Sequence, residues 1–126
     1  MVKVFLVGIG GCLGSVARYL LSGYAQERTA GAFPFGTLLV NVLGCFLIGA
    51  VSELAETRSY FSAEVRACVV VGVLGGFTTF SAFGNETINL VRDRDWTLAG
   101  ASVVGHLILA IGAVWLGRTA VHLTLR

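Results

Sequence analysis

The sequence predicts an all-α membrane protein that forms one domain over residues 1–126 and crosses the bilayer four times. Hydrophobic residues make up 56% of the chain and charged residues only 13%, whereas a soluble domain carries about twice that charged fraction. The hydrophobic residues fall in four runs, each long enough for a membrane helix. Seventeen glycines accompany a single proline and lie within these runs, as is typical of closely packed membrane helices.

The first apolar run extends from about Val4 to Tyr24, which is sufficient to cross ~30 Å of hydrocarbon. A lysine before an apolar stretch is also typical of a secretory signal, but this run continues past the zone where cleavage is expected. Gly10 and Gly14 are small residues four positions apart, which favours close contact with another helix. Arg18 either extends to the membrane interface or supplies a positive charge that attracts anions.

The second predicted span, Leu38 to Leu54, follows a polar loop over 26–32 and a proline that suits the start of a helix. Asn41 lies in the apolar part of this span. In hydrocarbon its amide group must find hydrogen-bond partners. The amide therefore either links two helices or lines a pore, where its NH₂ group replaces water around an anion.

The third predicted span, from Ala67 to about Val91, contains residues that a straight membrane helix avoids. Gly75 and Gly76 each cost about 1 kcal/mol of helix stability relative to alanine, and neighbouring hydroxyl groups compete for backbone partners. Those hydroxyls belong to Thr78, Thr79 and Ser81. Phe80, Phe83 and Glu86 follow at intervals of three residues, which places them on one face of a helix. We expect a helix broken near mid-membrane at an ion or substrate site. The alternative is a kinked packing helix whose small residues let neighbours approach.

The fourth predicted span runs from Leu98 to about Leu116, after a charged turn over 92–95. Trp96 has the position of an anchor at the membrane interface. Ser102 and His106 are four residues apart and therefore share one face of the helix. Serine in a membrane commonly bonds to the backbone or to another helix, but histidine at depth is rarer. The pair therefore favours a polar track along this face.

Positive charges are distributed almost equally between the two sides of this four-span topology. One side holds five and the other four: Lys3, Arg58, Arg66, Arg118 and Arg126 against Arg18, Arg28, Arg92 and Arg94. Orientation normally follows an imbalance of such charges. The sequence therefore predicts insertion in both orientations and an antiparallel dimer around a twofold axis in the membrane plane.

The remaining features favour an ion pathway over enzymatic or nucleic-acid-binding functions. The net charge of +2 is too small and dispersed for a nucleic-acid partner, and the sequence has no nucleophile–base or phosphate-loop motif. We therefore expect no enzyme activity. Hydrogen-bond donors such as Asn41 and Ser81 suit a desolvated anion. The positive ring edges of Phe80 and Phe83 could contact it without trapping it.

Two segments carry a resemblance to a known family. Gly36-Thr-Leu-Leu-Val-Asn-Val-Leu-Gly44 and Gly75-Gly-Phe-Thr-Thr-Phe-Ser-Ala-Phe83, followed by Glu86, resemble motifs of the Fluc (CrcB-like) fluoride ion channel family. The similarity covers essentially the whole chain. It implies a dual-topology homodimer in the plasma membrane (the bacterial inner membrane), with two pores through which toxic cytoplasmic fluoride leaks outward.

The resemblance also implies residue roles. Phe80 and Phe83 would form aromatic boxes shared between protomers, while Asn41 would line the pore and Arg18 its vestibule. A structural sodium ion at the dimer centre would bind the backbone carbonyls of Gly75 and Thr78 from each protomer. Glu86, Ser102 and His106 would continue the pathway as a polar track, with Ser81 close to the ion path. Ala82 stands where many members carry Thr or Ser, Gly84 where Ser is common, and His106 where some relatives have serine, so the details of the track stay open.

Two alternatives belong to other functional classes. A proton-coupled exporter of the small multidrug resistance type has a similar size, four spans and dual topology. It depends on a carboxylate in its first span, and Val4 to Tyr24 contains none. A non-transporting assembly subunit could use the glycine-rich faces for partner helices, but it would need neither Asn41 nor an intramembrane histidine.

Overall fold

The computed structural model describes residues 1–58 and 61–125, and within these ranges all regular elements are helical. They are α1 (Val2–Thr29), α2 (Phe35–Arg58), α3 (Ala63–Arg66), a π-helical segment (Ala67–Leu74), α4 (Gly75–Phe77), α5 (Phe80–Arg92) and α6 (Trp96–Thr124). Four stretches are long and apolar enough to cross a membrane, the third of them spanning Ala63–Arg92. The predicted four-span helical architecture is therefore confirmed. Among the charges counted above, Arg126 and the side chain of Arg58 lie outside the described residues.

The helices extend beyond the apolar runs that predicted them. α1 continues to Thr29, through part of the predicted loop, and ends at Ala30 in the left-handed conformation with a φ of 42°. Gln26, on the last turns of α1, holds the connection to α2. Its Nε2 donates to the carbonyls of Gly31 and Phe33 at 3.0 and 3.1 Å. Polar residues can thus continue a helix past the hydrocarbon, and hydropathy does not mark where it ends.

Glycines allow α1 to pack directly against the backbone of the third span. Gly10 and Gly14, the predicted close-contact pair, are both buried. A Cβ atom on Gly10 would lie 3.1 Å from the Cα of Gly72, and one on Gly14 would overlap the carbonyl of Val73. Van der Waals contact between backbones is one of the main forces that hold helices together in lipid.

The second close pair is α2 with α6. Gly49 on α2 faces the backbone of Val114, and Gly117 on α6 faces that of Phe46. At one end of this pair, Arg118 donates to Glu53 at 3.2 Å and to Glu56 at 2.9 Å. α1, α2 and α6 all contact the third span and together form a scaffold around it.

Two residues between α4 and α5 have extended rather than helical backbone. Thr78 has φ −91° and ψ 157°, and Thr79 has φ −151° and ψ 114°. The Thr79 side chain stabilises the start of α5. Its hydroxyl is the N-cap and accepts a hydrogen bond from the amide of Ala82 at 3.1 Å. The chain therefore offers backbone groups to side chains at this point in the third span.

Candidate functional site

The extended residues border a cavity of about 340 Å³ between α2, the third span and α6. Apolar side chains form most of its wall, and a few polar groups converge on it, as is typical of small-ligand sites. Six of the ten residues predicted to form the ion sites line it: Asn41, Gly75, Thr78, Phe80, Phe83 and His106. Residues from three spans are therefore brought together around one space.

Asn41 pairs with the backbone of Thr79 through two hydrogen bonds. The amide nitrogen of Thr79 donates to Oδ1 of Asn41 at 2.7 Å, and Nδ2 of Asn41 donates to the carbonyl of Thr79 at 2.9 Å. Asn41 is 7% exposed, so these bonds supply the partners that a buried amide requires. The side chain links two helices, one of the two roles predicted for it, and still has one N–H group for a ligand.

The first turn of α5 carries two hydroxyl groups. Oγ1 of Thr79 lies 3.2 Å from Oγ of Ser81 and also accepts from the amide of Ala82. Ser81 is exposed on the surface of the protomer. Ser81 does not line the cavity, whereas the preceding residue, Phe80, does.

Phe80, Phe83 and His106 form a continuous row of rings. The centroids of Phe80 and Phe83 are 5.3 Å apart with the ring planes at 60°, and those of Phe83 and His106 are 4.3 Å apart at 37°. Such tilted pairs direct ring edges as well as faces toward their surroundings. Phe83 is only 9% exposed, whereas Phe80 is 80% exposed. The row thus runs from the interior of the protomer to its surface.

His106 and Ser102 are buried together on α6. Nδ1 of His106 lies 2.9 Å from the carbonyl oxygen of Ser102, and Oγ of Ser102 lies 3.1 Å from Oγ1 of Thr87 on α5. Nε2 of His106 is buried and finds no hydrogen-bond partner in the part of the chain that the structure describes. The serine hydroxyl therefore links two helices, while the imidazole presents a free nitrogen beside the cavity.

Glu86 belongs to a second cavity, of about 480 Å³, at the end of α1, the start of α2 and the last turns of α5. Thr37 donates to its Oε1 at 2.7 Å. Oε2 is buried and has no partner within residues 1–58 and 61–125. Gln26 and Asp93 also line this polar space. Glu86 thus borders a different cavity from Phe80 and Phe83, although it follows them on the same helix.

Arg18 reaches the third span from α1. Its Nε donates to the carbonyl of Gly76 at 3.0 Å, and the side chain is partly buried. The oxygen that it binds lies on the last helical turn before the extended residues. The guanidinium thus places a positive charge beside the site as well as capping one of its carbonyls.

Three contacts at the site were not predicted from the sequence. Thr37 binds Glu86, Thr79 caps α5, and Thr87 bonds to Ser102. Thr37 could have been found by its spacing, because it lies four residues before Asn41 and so shares its helix face. The other two depend on contacts that no spacing in the sequence reveals.

The chain is similar to known proteins over most of its length. Residues 5–118 match the sequence model described as CrcB-like protein, Camphor Resistance (CrcB). A protein of Opitutus terrae named "Fluoride-specific ion channel FluC" is 51% identical over 116 residues, covering 90% of this chain and 88% of that protein. Proteins of the same name from Sorangium cellulosum and Shewanella sp. ANA-3 are 44% and 46% identical, covering 93% and 96% of this chain and 92% and 97% of those proteins.

Proposed function

This chain belongs to the CrcB-like family, and we infer from that membership and from its four spans that it is a fluoride-specific ion channel in a membrane. Its relatives are named channels, not enzymes. The family assignment also decides against the multidrug exporter and the assembly subunit. The strongest structural support for this function is the cavity that Asn41, Phe83 and His106 line together.

We propose that fluoride passes along the row of rings. Phe80 and Phe83 offer positive ring edges, and Asn41 keeps one N–H group that its bonds to Thr79 leave free. The pathway continues toward the buried pair of Ser102 and His106. At its other end, Arg18 attracts anions, and Ser81 and Glu86 supply polar groups along the way. None of these contacts holds the anion by a full charge at close range, which suits conduction.

We also propose that the third span is a helix broken near mid-membrane and that its carbonyls bind sodium. A continuous helix would direct the amides of Thr79 and Ala82 to the carbonyls of Gly75 and Thr78. Both amides donate elsewhere, to Asn41 and to the Thr79 hydroxyl. The two carbonyl oxygens are thereby available to a hard cation, which prefers oxygen ligands. The chemistry of the donor set fits Na⁺, whose charge would offset that of passing anions.

An antiparallel homodimer is proposed as the working unit. Phe80 is 80% exposed although it borders the cavity and touches the buried Phe83. A second copy in the opposite orientation would cover this ring and complete each aromatic box. It would also add the carbonyls of its own Gly75 and Thr78, giving four oxygens around one cation. The near-equal charge on the two sides of the topology supports this arrangement.

We place the channel in the plasma membrane, where passive fluoride efflux would protect the cell. The test is fluoride release from liposomes that contain only this protein, followed with a fluoride electrode. Rapid release of fluoride with no release of chloride is expected. Slow release equal to that of protein-free liposomes would overturn the inference. A tag on the N-terminus should be found on both sides of the membrane, and one found on a single side contradicts dual topology.

A further inference from the structure

Two side chains remove the backbone donors that would otherwise close the third span into a continuous helix. In an α-helix the amide of residue i+4 donates to the carbonyl of residue i. The amide of Thr79 instead donates to Oδ1 of Asn41 at 2.7 Å, and that of Ala82 donates to Oγ1 of Thr79 at 3.1 Å. The carbonyls that lose their donors belong to Gly75 and Thr78. They are the same two carbonyls that the proposed cation site requires.

We propose that Asn41 and Thr79 are positioning residues that keep these carbonyl oxygens open for a monovalent cation. The inference rests on the channel and the cation site proposed above. It adds that the side chains of Asn41 and Thr79 create that site, because they bind the amides that would otherwise close it. Backbone oxygens without partners are unfavourable inside a membrane. The extended segment therefore persists because its amides are held elsewhere and because a cation binds the oxygens.

Asparagine is well suited to this role. Holding Thr79 in an extended conformation requires an acceptor for its amide and a donor for its carbonyl, and a carboxamide provides both in one plane. Aspartate lacks the donor, and serine offers a single group. Asn41 is buried on the long helix α2, so its position is fixed by packing. The pairing with Thr79 imitates the two hydrogen bonds of an antiparallel strand pair.

The geometry also couples the two ions. Asn41 commits Oδ1 and one hydrogen of Nδ2 to Thr79, which leaves the second hydrogen for the cavity that Phe83 borders. One side chain thus shapes the cation site and faces the anion pathway. A substitution of Asn41 should change sodium binding even when no fluoride is present. A residue that served only as a fluoride donor would not have this effect.

The experiment is a sodium titration of the purified, fluoride-free protein in detergent, with N-methylglucamine chloride keeping the ionic strength constant. The readout is the thermal unfolding midpoint, followed by tryptophan fluorescence. We expect sodium to raise the midpoint of the wild type. In Asn41→Leu and Thr79→Val, the sodium concentration that gives half of this effect should rise at least tenfold. Thr79→Ser, which keeps the capping hydroxyl, should restore a value within threefold of the wild type.

Thr57→Val is the matched control, because it removes an exposed hydroxyl that bonds to the carbonyl of Glu53 on the far end of α2. Its sodium response should equal that of the wild type. If the sodium concentration for half of the effect is the same in Asn41→Leu and Thr79→Val as in the wild type, the inference is wrong. Such a result would not contradict the sodium site itself. If Asn41→Leu does not fold, the sodium response of Thr79→Val tests the inference by itself. A wild type that sodium does not stabilise would overturn the cation site itself, whereas fluoride efflux from liposomes would still test the channel.

Discussion

Nδ1 of His106 lies 2.9 Å from the carbonyl oxygen of Ser102, one helical turn earlier on α6. A carbonyl oxygen only accepts hydrogen bonds, so Nδ1 must carry the proton. When the ring is neutral, it therefore presents the lone pair of Nε2, which is buried without a partner among the described residues. In this form His106 accepts a hydrogen bond and cannot donate one to fluoride. A hydrogen-bonded link between Nε2 and the anion would then need a water molecule between them.

The first prediction concerns this tautomer. Nitrogen NMR of protein labelled with ¹⁵N-histidine should show His106 with the proton on Nδ1 when the ring is neutral. His122 provides an internal reference, because it is exposed and its Nδ1 faces a carboxylate oxygen of Glu53 at 2.9 Å. The His106→Ser variant identifies the signal by its loss. A neutral His106 protonated on Nε2 would contradict the geometry.

The four spans can be predicted from local sequence, whereas the contacts between spans cannot. Four apolar runs predict four spans because a helix must satisfy its own backbone in lipid, and helical spacing places Phe80 beside Phe83. The pairing of Asn41 with Thr79 joins residues 38 positions apart. Such a contact depends on how α2 packs against the third span. The placement of Glu86 in a cavity other than that of the rings depends on the same packing, since Thr37 on α2 binds it.

The second prediction tests the packing of α1 against the third span. Gly14→Ala should lower the free energy of unfolding by about 1–3 kcal/mol, because the added methyl group meets the backbone of Val73 and cannot be accommodated by a side-chain rotation. Gly8→Ala on the same helix is the control. A Cβ at Gly8 has open space around it, so alanine should be neutral or stabilise by up to about 1 kcal/mol. Equal effects of the two substitutions on unfolding in detergent would contradict this packing.

The third prediction separates the two roles of Arg18. Arg18→Met removes the hydrogen bond from Nε to the Gly76 carbonyl and should lower the free energy of unfolding by about 1.5–3 kcal/mol, the usual range for a bond to a charged group. It should also slow fluoride efflux at low ionic strength, where a vestibule charge acts most strongly. Arg18→Lys keeps the charge, so its flux should stay near that of the wild type although its stability falls. Wild-type stability in both variants would show that the bond to Gly76 contributes nothing.

The fourth prediction concerns Asn41→Asp, a nearly isosteric change. An ionised carboxylate repels fluoride and replaces the donor to the Thr79 carbonyl with a second acceptor. We expect fluoride efflux from liposomes to fall by at least tenfold. Asn85→Asp on α5 makes the same chemical change at an exposed position that borders neither cavity and should reduce the flux much less. Normal efflux through Asn41→Asp would remove this residue from the pathway.

The last prediction addresses the two phenylalanines together. Phe80→Ile and Phe83→Ile keep apolar side chains but remove the polarised ring edges, so each should reduce fluoride flux by at least tenfold. Their effects on the fold should differ. Phe80 is 80% exposed and its replacement should leave protomer stability nearly unchanged, whereas Phe83 is 9% exposed and its replacement should destabilise by about 1–3 kcal/mol. Phe5→Ile is the matched control, since Phe5 is 70% exposed on α1 and does not border the cavity. Because Phe80→Ile changes the ring without disturbing the core, normal flux through that variant would show that the exposed ring edge does not guide the anion.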